Sequence, residues 1–200
     1  MRVLLTFDVE VWCNDWSTLD ADFPVSFERY VFGRSPRGDY ALPKTLEVLD
    51  RYGLKGVFFV EPLFAARFGI EHLATIVALI HAAGQEIQLH LHPEWSDETT
   101  PPLLPGAKDK RQMLTEYSAE EQKTLVATAM RLLREAGGGT PNAFRAGSFS
   151  CNEDTFQAVA QNGLSFDSSI NPEMQSSKPG GAVDPRAGYC EPFHLGPLSL

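Results

Sequence analysis

The sequence predicts an α/β fold with a parallel sheet, and three observations support it. Short apolar runs rich in Val, Ile, Leu and Phe alternate with segments whose apolar residues recur at helical spacing. Charged or imidazole side chains stand where several of these runs end, as they do at the carboxyl ends of strands in parallel α/β barrels. The length of 200 residues and the 43% hydrophobic content suit one domain, residues 1–200, with a real core.

The expected elements follow one another along the chain. The strands are predicted at residues 2–8, 55–60, 86–90, 142–144 and 164–166. A long polar and aromatic loop is expected after the first strand, through Phe23 and Phe27. Helices are predicted after Pro43, over 71–82, after a capping box of Ser118 and Glu121, and over 153–162. The segment 97–110, with three prolines, is expected to be an exposed loop beside the site.

Composition narrows the class of partner and the compartment. The net charge of −9 and pI near 5.0 argue against nucleic acid and anionic membranes, so a neutral or cationic substrate fits better. Three cysteines without metal spacing favour a reducing compartment over a disulfide framework. No signal peptide and no membrane span are recognisable, which predicts a cytoplasmic protein.

The last residues read like the start of a further strand, which predicts a truncated chain.

Two pairs of side chains predict a metal site. Asp8 and Glu10 close the first strand, and His90 and His92 close the third. Alternate residues of a strand share a face, so the members of each pair point the same way. Carboxylate and imidazole ligands suit Zn(II), with Co(II) or another first-row divalent ion as the alternative. Such an ion would polarise a carbonyl and ionise a water.

These residues also suit the hydrolysis of an amide. Asp8 is the candidate general base, and Arg145, at the end of a later strand, is the cation that would keep Asp8 charged. The simpler interpretations are that Asp8 caps a helix or loop and that Arg145 forms a plain surface ion pair. Three tryptophans near the acids and histidines fit either the core or stacking on a sugar ring: Trp12, Trp16 and Trp95.

Four motifs in order resemble the NodB-like polysaccharide deacetylase family, also called carbohydrate esterase family 4. They read Thr6-Phe-Asp-Val-Glu10, Gly84-Gln-Glu-Ile-Gln-Leu-His-Leu-His-Pro-Glu94, Phe144-Arg-Ala-Gly-Ser148 and Gly163-Leu-Ser-Phe-Asp-Ser-Ser169. The resemblance implies a distorted parallel (β/α) barrel with fewer than eight strands. It also implies a metal-dependent hydrolase that removes acetyl groups from an N-acetylated carbohydrate.

The resemblance also implies roles for single residues. Asp8 looks like the family's catalytic base and Arg145 like the residue that orients it. The commoner first motif has a second Asp as ligand where this chain has Val9, and Glu10 looks like its substitute. The family's histidines are usually four residues apart, which points to His90 and residue 94, here Glu94. Either Glu94 ligates the metal, or His92 does so from the same strand face as His90.

The later motifs depart further from the family pattern. Gly147 and Ser148 stand where the family often has Pro-Tyr, and a backbone N–H near Ser148 could still donate to an oxyanion. Asp167 would support or orient a catalytic group. His194 resembles the family's late histidine acid poorly, which suggests that the acid lies beyond Leu200. Two alternative functions stay open, namely hydrolysis of another non-peptide C–N bond and non-catalytic carbohydrate binding.

Overall fold

The computed structural model describes residues 3–106 and 110–171, together with the backbone of 194–195 and 198–199. Seven strands form one sheet, and two more form a small antiparallel hairpin. In chain order the strands are β1 (Leu5–Val9), β2 (Arg34–Ser35), β3 (Gly38–Asp39), β4 (Gly56–Val60), β5 (Glu86–Leu91), β6 (Ala143–Ala146), β7 (Phe166–Asp167), β8 (His194–Leu195) and β9 (Leu198–Ser199). The hairpin is β2 with β3.

The strand order of the main sheet is that of a barrel. It runs β1-β4-β5-β6-β7-β9-β8, so each new parallel strand up to β7 is added on the same side of the previous one. A doubly wound sheet would instead reverse direction at a switch point. The predicted α/β class, with a parallel sheet of fewer than eight strands, is confirmed. In the part of the chain described, β1 and β8 do not pair with each other, so the sheet is open there.

Helices cover the connections between these strands. They are α1 (Leu19–Phe27), α2 (Leu42–Arg51), α3 (Ala65–Phe68), α4 (Ile70–Ala82), α5 (Ala119–Glu135) and α6 (Glu153–Gln161). The helices predicted after Pro43, over 71–82, after Ser118 and over 153–162 therefore lie within one or two residues of α2, α4, α5 and α6. Among the described residues, none of the helices is long and apolar enough to cross a bilayer.

The prediction of a long loop after the first strand was wrong. Residues Leu19–Phe27 form α1, and a π-helical turn, Glu28–Phe32, continues it. Pro24 lies within this helix, where a proline costs stability because it removes a backbone donor. Packing outweighs that cost. The apolar side chains four residues apart, including Phe23 and Phe27, are buried, and Phe23 stacks on Phe68 with ring centroids 3.7 Å apart.

The strand register decides which side chains meet at the edge of the sheet. In the pairing of β5 with β6, His90 lies opposite Arg145. Gln88 helps to hold this register, because its side-chain carbonyl accepts hydrogen bonds from the backbone N–H groups of Asn142 and Ala143 at 2.9 and 2.7 Å. The register of β1 on β4 ends with Val9 opposite Val60. The carboxyl ends of these four strands therefore share one edge.

The capping box at α5 yields a stability prediction. Ser118 Oγ accepts from the Glu121 backbone N–H at 3.4 Å, and the Glu121 carboxylate accepts from the Ser118 N–H at 2.8 Å. Ser118→Ala is expected to lower the free energy of unfolding by about 1 kcal/mol, because a helix donor loses its partner. Urea unfolding measures the change. Thr124→Ala, an exposed substitution within α5, is the control and should stay within about 0.5 kcal/mol of the wild type. Equal unfolding midpoints for both variants would contradict the capping role.

Candidate active site

Three of the four predicted ligands converge on one point. Glu10 follows β1, His90 lies in β5, and His92 follows β5. Glu10 Oε2 is 2.6 Å from His92 Nε2 and 3.3 Å from His90 Nε2. One ligand atom from each of the three residues lies within 4.8 Å of the others. The strand alternation that predicted two facing pairs therefore brings one member of the acid pair to both histidines.

The outer nitrogens of the two imidazole rings are also held. His90 Nδ1 is 2.8 Å from the backbone carbonyl oxygen of Arg145. A carbonyl only accepts, so Nδ1 carries the hydrogen and Nε2 is the nitrogen that faces Glu10. His92 Nδ1 lies 3.4 and 3.3 Å from the two carboxylate oxygens of Glu94. Glu94 therefore lies on the side of the His92 ring away from Glu10.

The charges of the cluster are strongly coupled. Burial would raise the pKa of Glu10, but its contacts with His90 and His92 outweigh it and hold this pKa well below the usual range. Burial opposes a charge on His92 as well, yet its hydrogen bonds to Glu10 and Glu94 raise its pKa to about 10. Two imidazole nitrogens and a carboxylate oxygen at one buried point match the donor set of Zn(II) and similar ions.

A second group of side chains surrounds Arg145. Its guanidinium donates to Asp8 Oδ1 at 2.7 Å, to Thr6 Oγ1 at 3.1 Å and to Ser168 Oγ at 2.9 Å. The same guanidinium lies over the Phe59 ring, 4.2 Å from its centroid. Arg145 is 9% exposed, whereas the Asp8 side chain keeps 30% of its surface in solvent. The cation is thus locked in place, and the carboxylate stays accessible.

Thr6 and Ser168 were missed in the sequence. Thr6 stands two residues before Asp8 on the same strand, so strand alternation places both on the face that Arg145 reaches. That signal was available. Ser168 offered no signal of its own, because it follows β7 and reaches Arg145 only through the arrangement of the sheet.

Asp167 lies apart from the metal-type cluster. Its carboxylate accepts from the Ser169 backbone N–H at 2.7 Å and from the Ser169 hydroxyl at 3.1 Å. Ser169 Oγ accepts in turn from the Ala146 N–H at 2.8 Å. Burial raises the pKa of Asp167 to about 7. The structure therefore connects Asp167 to the strand that carries Arg145.

His194 lies in β8, and its side chain is outside the described residues.

An open groove lies beside the two acids of the first strand. Its volume is about 290 Å³, and its walls include Asp8, Glu10, Tyr30 and Thr45. Trp12 borders the site too, since its ring meets the His92 ring edge-on with centroids 4.6 Å apart. The groove gives a small or chain-like molecule access to both acids.

The other tryptophans are further from the two acids. Trp95 is 1% exposed and belongs to the core, and Trp16 is half-buried between Trp95 and Lys110. The segment that starts at Asp97 approaches the site as expected. Lys110 Nζ donates to the Glu94 carbonyl at 2.9 Å and to Asp97 Oδ1 at 2.7 Å.

The comparison with protein families agrees with the geometry. Residues 32–166 match the family model described as polysaccharide deacetylase. The chain belongs to the polysaccharide deacetylase family. The matched range includes both histidines and Arg145, whereas Asp8 and Glu10 lie before it. The resemblance to this family that the motifs indicated is therefore confirmed.

The chain is similar to several solved structures. A Mycobacterium smegmatis protein assigned to the polysaccharide deacetylases has a TM-score of 0.55 and 20% identity, over 84% of this chain and 50% of the other. A family 4 carbohydrate esterase from Streptomyces lividans, in complex with acetate, has a TM-score of 0.48 and 19% identity over 82% and 60%. A family 4 pseudoenzyme from Bacillus anthracis gives 0.49 and 17% over 82% and 41%. Among curated proteins, none matches this sequence significantly.

The first of these structures bears on the fold alone. At 20% identity, the first structure supports a common architecture for the chain. The chain spans about half the length of the solved structures that it matches.

The burial of Asp167 predicts that the stability of the folded chain depends on pH. The folded pKa of Asp167, about 7, is above the value near 4 of an unfolded chain. The stability that the neutral acid contributes is therefore complete below about pH 4 and is lost as the pH rises through 7. Between pH 5 and 8 the loss should be about 3 kcal/mol. Asp167→Asn keeps acceptor and donor atoms for Ser169 and should remove this loss.

Urea unfolding of both proteins at pH 5 and pH 8 measures the difference. Asp50→Asn, an exposed substitution on α2, is the control and should keep the pH dependence of the wild type. Parallel pH profiles for wild type and Asp167→Asn would show that Asp167 is ionised in the folded chain.

Proposed function

We propose that this chain is a metal-dependent hydrolase that removes N-acetyl groups from an N-acetylated glycan or sugar precursor. One observation carries the proposal. The edge of the sheet combines a cluster of two imidazoles and a carboxylate, Glu10 with His90 and His92, with a separate carboxylate, Asp8, that Arg145 orients. Membership of the polysaccharide deacetylase family supports the choice of acetamide as the bond that is broken.

The ion is proposed to bind at Glu10, His90 and His92. Zn(II) fits these donors, and Co(II) or another first-row divalent ion is the alternative. Bound there, a divalent ion supplies Lewis-acid polarisation of a carbonyl and lowers the pKa of a water. The residues themselves supply the orientation. The hydrogen bond from His90 Nδ1 to the Arg145 carbonyl fixes the ring so that Nε2 faces the cluster.

Asp8 is proposed to act as the general base. It takes a proton from the attacking water, whose oxygen forms a bond to the acetamide carbon. As the C–N bond breaks, the nitrogen takes the proton that Asp8 accepted, so that a free amine and acetic acid, which ionises to acetate in water, leave. Arg145 holds Asp8 through Oδ1 at 2.7 Å, and Thr6 and Ser168 hold Arg145, so the base cannot swing away from the site.

The substrate is proposed to be a neutral glycan. The groove of about 290 Å³ beside Asp8 and Glu10 contains an exposed aromatic ring, Tyr30, and Trp12 borders the histidines. Aromatic rings stack on the apolar faces of sugars. The net charge of −9 disfavours a polyanionic polymer. An N-acetylated sugar with an uncharged backbone satisfies both observations.

Metal binding is the first expected outcome. Titration of the chain with Zn(II) or Co(II) in a calorimeter should show one binding site per chain. His90→Ala should abolish metal binding or weaken the affinity by at least 100-fold, because one of three ligands is lost. His81→Ala, which changes an exposed histidine of α4, is the matched control and should bind like the wild type. A folded wild type that binds no ion would contradict metal dependence.

Acetate release separates the base from the ligands. With N-acetylglucosamine oligomers as substrate, Asp8→Asn should lose about 10²- to 10⁴-fold in turnover while it binds the ion as the wild type does. Asn retains an oxygen for Arg145 but cannot take a proton at neutral pH. Asp50→Asn, on the exposed face of α2, is the control and should keep full activity.

Other results point to different functions. Unchanged turnover in Asp8→Asn would remove Asp8 as the base. A wild type that binds metal and releases amine only from other small amides would identify another C–N bond as the substrate. Glycan binding without turnover by the wild type would favour a carbohydrate-binding protein.

A further inference from the structure

Three departures of this chain from the family pattern meet at the His92 ring in the structure. The chain has Glu94 where the family usually has its second histidine, and it has a histidine two residues earlier, at His92. In the third motif, Gly147 stands where the family often has a proline. We infer that Gly147 and Glu94 are positioning residues for the His92 ring, so that the three form one unit that replaces the family's usual ligand. The inference rests on the proposed metal site.

Gly147 is needed for space rather than for backbone freedom. Its φ lies outside the left-handed region that favours glycine, so an alanine could adopt the same backbone. A Cβ at this position, however, would stand 2.5 Å from both Cε1 and Nδ1 of His92 and 2.7 Å from its Cγ. The imidazole ring occupies the volume that any other side chain at 147 would need. A histidine at 92 in this orientation therefore requires a glycine at 147.

Glu94 acts on the other side of the same ring. Its carboxylate is buried, and both oxygens lie within 3.4 Å of His92 Nδ1. A carboxylate there accepts the Nδ1–H and leaves Nε2 as the atom directed at Glu10, 2.6 Å away. The Trp12 ring packs nearly perpendicular to the imidazole, with ring centroids 4.6 Å apart. The His92 ring is thus held by the Glu94 carboxylate, by the Trp12 ring and by the backbone of Gly147, which packs closely against it.

The backbone keeps Glu94 in this outer position. Pro93 starts a short 3-10 turn, Pro93–Trp95, directly after the strand, and this turn carries Glu94 behind the His92 ring. Lys110 fixes the turn, because its ammonium donates to the Glu94 carbonyl oxygen at 2.9 Å. Glu94 is therefore a positioning residue, and His92 takes the place of the ligand.

A double-mutant cycle on metal affinity tests the unit. In the wild-type background, Gly147→Ala should weaken Zn(II) or Co(II) binding by about 10- to 100-fold, the usual effect of losing an outer-shell contact. In the His92→Ala background the same change should have little further effect, because the ring that it displaces is gone. The matched control is Gly138→Ala, whose Cβ would stand 2.8 Å from the Leu133 side chain; it should leave the affinity unchanged. Additive losses for Gly147→Ala and His92→Ala would overturn the inference.

A second pair of variants tests Glu94. Glu94→Gln keeps an oxygen that can accept from His92 Nδ1 and should change metal affinity by less than Glu94→Ala, which should lose about 10- to 100-fold. The spectrum of bound Co(II) reports whether the ligand set stays the same. A changed Co(II) spectrum in Glu94→Gln, with wild-type affinity in His92→Ala, would identify Glu94 as the ligand and overturn its positioning role.

Unfolding without metal separates this inference from the proposed function. In urea, Gly147→Ala should lower the unfolding midpoint of the wild type, but not that of His92→Ala, where the ring no longer fills the space. If the wild type binds no ion, the proposed function fails while this cycle still reports the contact between the ring and Gly147. If Gly147→Ala lowers the midpoint equally in both backgrounds, the packing inference fails whatever the metal result.

Discussion

Parallel pairing of β1, β4, β5 and β6 is the constraint on which the rest of the site depends. In a parallel sheet all strands end at the same edge, so polar residues placed at strand ends far apart in sequence become neighbours. The register puts His90 directly beside Arg145, and the Arg145 carbonyl then orients the His90 ring. A slip of one residue between these strands would turn the two side chains to opposite faces and separate the two clusters.

The charges at this edge are arranged in compensating groups because each is partly or fully buried. Arg145 has a carboxylate and two hydroxyls around it, and His92 lies between two carboxylates. An unpaired charge at such depth would cost several kcal/mol. Glu61 shows the alternative, in which a buried acid is neutral rather than paired with a cation. It is 1% exposed, burial raises its pKa to about 8, and it accepts the Leu63 N–H at 2.7 Å as a neutral acid near pH 7.

The departures from the family motifs make sense as a linked set. Read singly, the loss of a histidine at position 94 and of a proline at 147 weakens the case for a working site. In three dimensions His92 fills the space that glycine leaves, and Glu94 lies against the nitrogen that does not face Glu10. The cluster contains two imidazoles, which stand two residues apart along the chain.

The sequence by itself determined the α/β class and the family. It also determined the helices α2, α4, α5 and α6 and the strands β4 to β7 to within one or two residues, and it named the side chains that the structure brings together at the candidate site. Local signals carry this information: helical and strand periodicity, a capping box, and polar residues at strand ends. Short-range patterns failed at α1, which was expected to be a polar and aromatic loop, whereas the burial of Phe23 and Phe27 stabilises a helix there. Only the tertiary structure shows that His92, rather than Glu94, lies next to Glu10, because this arrangement depends on the space that Gly147 leaves at the end of a neighbouring strand. Contacts between residues distant along the chain have no local sequence signature, so packing alone could settle them.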